Sequence, residues 1–435
     1  MGGQNFEGLG WEKVASGEFG MEARFTRVPD LEAAKQLFKW LGVTDGEIDI
    51  TLIETQQELS RVYDVFLPEK DETLILRINL PLDPRFKTLS EVETINWVRD
   101  NTNIPVPKIV HYDASNANPI GFEYILMTKL PGKQLSEEMW KSISFPAKEE
   151  LFRQIAELSS CLYKNQLRGI GSIQSASPPS VGPVVARELF WHDSIHIDVP
   201  RGPFSSARDW FKAILEIKRQ VACAMVAKHS GIGVRNEEDQ EDLDWAQVTL
   251  KIIDGVVPLV DKILPPGNDV EDEPSMLHHA YLDWSTILVD DSGALTGIID
   301  WQCASAVPLW SACYYPQYLS WAWREEKPEP ENYGTDAEDD GGSDPNEPGN
   351  LYWLHMEEYE CYLLRGFFLE EMARLEPGWV EIFKSSELKV DLEEAVINCD
   401  CEVGFIVSRN RELLEWIDKV NAEKPWAKKA EGLNG

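Results

Sequence analysis

The segment 277–301, LHHAYLDWSTILVDDSGALTGIIDW, gathers His279, Tyr281, Asp283 and Asp300 within one short stretch, alongside the hydroxyl of Thr286. A carboxylate can accept a proton from a hydroxyl and orient its oxygen. A phenol, with a reference pKa of about 10, is protonated near neutrality and donates instead. Tyr281 beside Asp283 and Asp300 is therefore a sensible acid–base grouping, with His279 able to join it. The second half of the segment reads as a β-hairpin: Ile287-Leu288-Val289, a turn at Asp290-Asp291-Ser292-Gly293, then Leu295 to Ile299 running into Asp300. That pattern sets Asp300 at a strand end.

Other elements must hold this segment in place. Residues 31–42, LEAAKQLFKWLG, carry the apolar spacing of an amphipathic helix that Gly42 would end. The period then changes: 48–53, Arg61 to Leu67 and Leu74 to Ile78 read as three short strands, the last two joined by the polar turn 68–72. Ser90 to Arg99 reads as a helix with Val92, Ile95 and Val98 for packing. Glu123 to Lys129 reads as a further strand, ending at the chain break Leu130-Pro131-Gly132. Beyond it helical periods dominate. Leu151, Ile155, Leu158 and Leu162 form one stripe, Leu243, Val248, Ile252, Val256 and Leu259 another, and Leu392, Val396, Val403, Leu413 and Ile417 are expected in one long C-terminal helix. A β-rich front, 1–129, before a helical remainder, 130–435, is an α+β pattern with two lobes. The stretch 325–350, rich in acid, Pro and Gly, buries too little apolar surface to offset its ordering entropy and is expected to be a disordered surface insertion.

Composition narrows the function classes. The 435 residues and a 43% hydrophobic share, with 16 Trp and 16 Phe, suit a large globular core. A net charge of −34, from 41 basic and 75 acidic residues, argues against sequence-independent binding to nucleic acid or anionic lipid, which relies on Lys and Arg. No apolar run is long enough to span a bilayer, no basic and then apolar leader is present, and Phe6 stands where a myristoylation signal has Ser or Thr. The expectation is a soluble cytoplasmic protein. Seven cysteines without a C-x-x-C pair favour reduced, core-filling thiols, Cys399 and Cys401 included. His192 and His196, near Asp193 and Asp198, read as part of a loop rather than a metal site.

The motifs together resemble the aminoglycoside phosphotransferase and choline-kinase-like family, in fungal form. The resemblance rests on the 277–301 segment against H-x-D-x-x-x-x-N followed by IIDW. It extends to Ile104-Pro105-Val106-Pro107-Lys108, Asn118-Pro119-Ile120-Gly121, Tyr124 to Met127, Leu130-Pro131-Gly132, Arg201-Gly202-Pro203-Phe204 with Asp209-Trp210, and Pro308-Leu309-Trp310. It implies a bilobal protein-kinase-like fold, with ATP and Mg²⁺ as cofactors and a small hydroxyl compound as acceptor. Phosphoryl transfer in such a fold needs a glycine-rich phosphate loop, a strand cation paired to a helix Glu, a catalytic-loop base and metal-holding residues. Here the loop position reads Gln56-Gln57-Glu58-Leu59-Ser60, and no glycine occurs between Glu47 and Pro119. Arg77 takes the cation position with Glu91 as partner, and an arginine is compatible with nucleotide binding. Tyr281 stands where the family has its Asp, with Asp283 a candidate substitute. Asp300 matches the magnesium Asp, Thr286 replaces the Asn, and His279 matches the loop-bracing His.

These departures imply a pseudokinase with phosphoryl transfer impaired or lost, and with binding of ATP and Mg²⁺ weakened or lost, that still takes up a nucleotide or small molecule. Two alternatives stand beside it. One is an active ATP- and Mg²⁺-dependent phosphotransferase with Asp283 as base. The other is a kinase-fold enzyme turned to non-phosphoryl acid–base chemistry through Tyr281, Asp283, His279 and Asp300.

Overall fold

The computed structural model describes residues 4–14, 21–53, 59–233, 236–266, 271–320, 324–333, 350–400 and 406–422. A hairpin of β1 (Leu9–Lys13) and β2 (Met21–Phe25) precedes helix α1 (Leu31–Trp40). Sequence reasoning did not anticipate this hairpin. Asp30 caps α1 by accepting from the Ala33 amide, and Gly42 at φ +73 ends it as expected, with Val43 N–H bonded to the Phe38 carbonyl in a Schellman arrangement.

Strands β3 (Asp49–Leu52), β4 (Ser60–Leu67) and β5 (Glu72–Asn79) realise the three expected strands. Helix α2 (Phe86–Asn101) follows, then β6 (Ile109–Asp113), which was not anticipated, and β7 (Tyr124–Thr128). The five strands form one antiparallel sheet in the order β3-β4-β5-β7-β6, placing Arg77 of β5 opposite Val62 on one side and Ile125 on the other. One sheet face packs on α1, where Phe38 is fully buried among Tyr63, Leu76 and Tyr124. Burying that ring contributes roughly 1.5–3 kcal/mol.

Helix α2 begins a turn earlier than the Ser90 expected from its apolar pattern. The reason is a remote cap: Glu123, just before β7, accepts from the Arg85 amide and the Thr88 hydroxyl, both at 2.6 Å, placing a carboxylate at the positive helix end. A cap contributed from elsewhere in the chain leaves no local signature.

The remainder is mostly helical. In order come β8 (Lys133–Gln134), α3 (Glu137–Ser142), α4 (Phe145–Lys164), β9 (Leu167–Arg168), β10 (Ile173–Ala176), β11 (Pro179–Val181), α5 (Arg187–Phe190), α6 (Ala207–Ile232) and α7 (Glu237–Ile263). Then follow β12 (Pro274–His278), β13 (Ile287–Val289), β14 (Leu295–Ile298), β15 (Ser305–Pro308), α8 (Leu309–Ala312), α9 (Asn350–Leu375), α10 (Pro377–Ser385), α11 (Glu387–Ile397) and α12 (Ile406–Ala422). One core joins α2, α4 and α9 around Trp97, Phe152, Trp301 and Phe368; a second joins α6, α7, α11 and α12 around Phe211, Ile253, Val256 and Leu392. The fold is thus α+β, with a β-rich front and a helical back.

Several expectations need correction. The single long C-terminal helix is two, α11 and α12. Leu392, Val396 and Ile417 nevertheless reach one core against α7, while Val403 and Cys401 lie outside the described residues. His192–His196 forms a 3₁₀ turn rather than a loop. Of the acidic stretch 325–350, the first nine residues are described, with the Tyr333 hydroxyl 2.8 Å from His355 Nδ1, and α9 starts at Asn350; the expectation for 334–349 lies outside the described residues. Paired aromatic and imidazole groups anchor what composition alone assigned to solvent.

The N-terminal hairpin also bridges front and back. Trp11 packs edge-on against Trp191 and His192, with ring centres 5.0 and 5.4 Å away, and Gln4 donates to Asp83 at 3.0 Å. Asp83 is 6% exposed, and burial pushes its carboxyl up to about 6, partly offset by Arg201. A folded-state pKa above the unfolded one means the native state holds more protons between about pH 4 and 6, so stability falls as pH rises through that window. We expect a loss on the order of 3 kcal/mol from this group, and Asp83→Asn should flatten the decline. Urea denaturation midpoints compared across that window test it.

Candidate active site

The site is built where β5, α2 and the 277–301 segment meet. Arg77 and Glu91 are nearly sealed from solvent, and their charged atoms lie 3.1 Å apart, with Nη1 of Arg77 facing Oε1 of Glu91. The same Nη1 donates to Asp300 Oδ1 at 2.5 Å, while Gln302 Nε2 donates to Asp300 Oδ2 at 3.2 Å. Burial works against the Arg77 charge, but Asp300 and Glu91 outweigh it and hold its pKa above the usual range. Burial likewise disfavours the Asp300 carboxylate, yet Arg77 outweighs it and keeps the group below the usual carboxylate range. Arg77 and Asp300 thus form a committed ion pair. Asp300 takes up φ +63 to make it, a left-handed conformation that Asp tolerates better than most side chains.

The loop ahead of β13 is satisfied from within. His279 is 5% exposed, and its Nε2 lies 3.0 Å from the Ile299 carbonyl, which can only accept. Nε2 therefore carries the proton, and Nδ1 accepts from the Tyr281 amide at 3.3 Å. Burial pushes the His279 pKa down, in keeping with that neutral form, and its ring packs edge-on against Trp301 with centres 4.6 Å apart. The Thr286 hydroxyl, in a residue 1% exposed, donates to the Tyr281 carbonyl at 2.6 Å and accepts from the Asp283 amide at 3.2 Å. Asp283 Oδ1 accepts from both the amide and the hydroxyl of Ser285, at 2.9 and 2.7 Å. Trp284 then anchors the loop in an aromatic group with Trp140 and Tyr318, whose ring centres lie 5.3 and 4.6 Å from its own.

The expected residues are therefore assembled in two sets: Arg77, Glu91 and Asp300 in one, His279, Tyr281, Asp283 and Thr286 in the other. The donor set does not fit a divalent cation. Such an ion wants several free oxygens directed at one point. Here the Thr286 hydroxyl is turned into its own loop, both Asp300 oxygens have partners, and no group of three or more His, Cys, Asp or Glu suited to a metal occurs among the described residues.

Sequence reasoning missed three contributors. Lys87, 1% exposed on α2, donates to Asn79 Oδ1 at 3.1 Å and lies in the field of Glu91, Arg77 and Asp300. Its spacing of four from Glu91 was a readable signal that both share a helix face. Gln302 has no such signature, since its role follows from the turn after Asp300. The third is an apolar cover: Leu59, Leu80 and Leu82 at the sheet end pack with Val185, Phe190 and Trp191 and with Cys303, three residues past Asp300. Of the expected phosphate loop, only Leu59 and Ser60 are described; 56–58 lie outside.

Because the buried Thr286 hydroxyl bonds both the Tyr281 carbonyl and the Asp283 amide, which without it keep only their mutual 3.1 Å contact, Thr286→Val should cost about 0.5–1.5 kcal/mol. The difference in denaturation midpoint with and without the substitution measures it, and it should be the same with Mg²⁺ present or absent.

Comparisons with known proteins bear on the whole assembly. The model of the phosphotransferase enzyme family matches residues 56–311. A subtelomeric hrmA-associated cluster protein of Aspergillus fumigatus is 25% identical over 288 residues, 56% of each chain. Clavilactone A biosynthesis cluster protein Y of Ampulloclitocybe clavipes is 27% identical over 238 residues, 53% of each. The chain thus spans about half the length of the curated relatives it matches. Among solved structures, an ADP-bound aminoglycoside phosphotransferase aligns with a TM-score of 0.40 and 11% identity, covering 84% of this chain and 97% of that one. An ethanolamine kinase of Plasmodium vivax aligns at 0.39 and 11%, covering 88% and 86%. With the family model running from the phosphate-loop position through the Asp300 turn to α8, the chain belongs to the phosphotransferase enzyme family.

Proposed function

We propose that this phosphotransferase-family protein is a pseudokinase in which phosphoryl transfer is impaired or lost. The observation that carries this reading is the self-satisfied loop. Tyr281 stands at the base position, and the two polar side chains best able to compensate, Asp283 and Thr286, spend their hydrogen bonds on Ser285 and on the loop backbone. A missing general base alone removes about 10²–10⁴ in rate. Misplaced metal oxygens would remove more, at about tenfold for each 1.36 kcal/mol. The apolar cover of Phe190, Trp191 and Leu59 and the burial of Arg77 also favour weakened access for a triphosphate.

What remains is uptake of a small molecule. In support, a cleft of about 440 Å³ opens beside α9, lined by Tyr315, Tyr362, Leu363, Arg365 and Leu369. That volume is in the range of small-molecule sites, and its aromatic rings, with the Arg365 guanidinium and the Glu325 carboxylate, offer an organic ligand both apolar and charged contacts.

The intact Arg77–Glu91 pair favours one competitor, an active transferase using Asp283 as base. Two measurements separate the readings. Labelled ATP with Mg²⁺ and a pool of small hydroxyl compounds should give no phosphorylated product above background, and Asp283→Ala should change nothing. Product that disappears in Asp283→Ala would establish the competitor. In parallel, ATP with Mg²⁺ should leave the melting temperature nearly unchanged, since a ligand that bound the folded state tightly would have to raise it.

A further inference from the structure

The cleft beside α9 has a glycine where nothing in the packing asks for one. Gly366 is an exposed residue inside a 26-residue helix, and a Cβ built on it would meet nothing within 4 Å beyond its own helical turn. A glycine in a helix interior weakens the helix relative to alanine. What the missing side chain provides is depth. Gly366 lines the cleft from α9 with Tyr362, Leu363 and Leu369, while Tyr315 and Glu325 line it from outside that helix. Both outer contributors are held in place. Tyr315 packs edge-on against Phe383 with ring centres 5.0 Å apart, and the segment carrying Glu325 is strapped to α9 at either end, by Arg324 and Glu358 at 3.2 Å and by the Tyr333 hydroxyl at His355 Nδ1.

We propose that this cleft is a binding site for a lipophilic organic cation, an aromatic or alkyl ammonium, with Glu325 as its counter-charge. This rests on the reading that the cleft takes up a small molecule, and it names the class. The cleft holds one charge of each sign, and it is the negative one that faces outward. Arg365 is 8% exposed, donates through Nε to the Leu319 carbonyl and lies 5.6 Å from the centre of the Tyr315 ring, so its guanidinium is engaged within the protein. Glu325 is exposed, as is Tyr362 at 39%. The face of a tyrosine ring attracts a cation, a nearby carboxylate completes its charge, and leucine side chains take the apolar body. The net charge of −34 adds a field that draws cations towards the surface and repels organic anions. None of the lining residues belongs to the Arg77–Glu91–Asp300 set or to the 277–301 segment, so this is a second site.

The test is calorimetric titration of the full chain with benzyltrimethylammonium, benzyl alcohol and benzoate, at about 0.15 M salt so that long-range attraction to the acidic surface is screened. Wild type should bind benzyltrimethylammonium at one site, at least about tenfold more tightly than either of the other two. Glu325→Gln should remove most of that preference, and Gly366→Trp, which fills the open space, should abolish binding with the circular dichroism spectrum unchanged. If Gly366→Trp fails to fold, Tyr362→Ala at an exposed position takes its place and should weaken the cation at least about threefold. A cation that does not bind overturns the proposal, as does one whose binding survives these substitutions. Benzyl alcohol or benzoate bound in its stead, and lost in Gly366→Trp, overturns the choice of a cation while leaving small-molecule uptake intact. No ATP is present, so every outcome leaves the transfer reading to its own assay.

Discussion

A single guanidinium joins the front sheet to the end of the 277–301 segment. Arg77 leaves the third strand of that sheet, passes Glu91 of α2, and ends on Asp300, where it makes a hydrogen bond to a buried carboxylate. Such pairs are costly to desolvate and more costly to break, because removal of one partner strands the other in a low-dielectric interior. The position of α2, the left-handed turn at Asp300 and the burial of Cys303 against the apolar cover all follow from keeping that contact dry.

A second consequence concerns the loop itself. In a phosphotransferase the carboxylate and amide of this loop must face outward to reach an acceptor and a metal, so their hydrogen-bonding capacity is kept in reserve. In this chain much of that capacity is turned inward. Asp283 makes a turn with Ser285, Thr286 bridges two backbone groups, and His279 is fixed in one tautomer between Ile299 and Tyr281. Trp284 and Trp301 add aromatic contacts on either side. The result is a loop braced as a structural element, with stability and chemistry drawing on the same few polar atoms.

Much of this was legible in the chain before any coordinates. Period-two apolar runs located β3, β4, β5 and β7, the turn at 290–293 located the β13–β14 hairpin, and Arg77, Glu91 and Asp300 could be singled out through the family resemblance. What escaped depends on contacts distant in sequence. The early start of α2 is set by Glu123, nearly forty residues away, and β1–β2 is recognisable mainly through what Trp11 meets on Trp191. Tyr281, Asp283 and Thr286 could be named by matching the family's catalytic-loop pattern. The direction of their hydrogen bonds could not, because rotamers are chosen by the folded backbone. Lys87 was overlooked for a different reason: on a helix, lysine ordinarily reads as solvent-facing, and only tertiary burial reveals that it points inward.

The N-terminal hairpin gives the architecture a mechanical character. Trp11 lies against Trp191, Lys13 pairs with Glu238 of α7, and Gln4 reaches Asp83 beside the start of α2. Hinge closure around a ligand requires a connection that can absorb changes in backbone angle, with few contacts crossing the gap. Here a β-ribbon straddles that gap and grips both sides, so rotation of one lobe against the other would shear an edge-on indole contact and a buried carboxylate contact together. The described residues of this ribbon act as a splint across the cleft, resisting the hinge motion that would part its two sides.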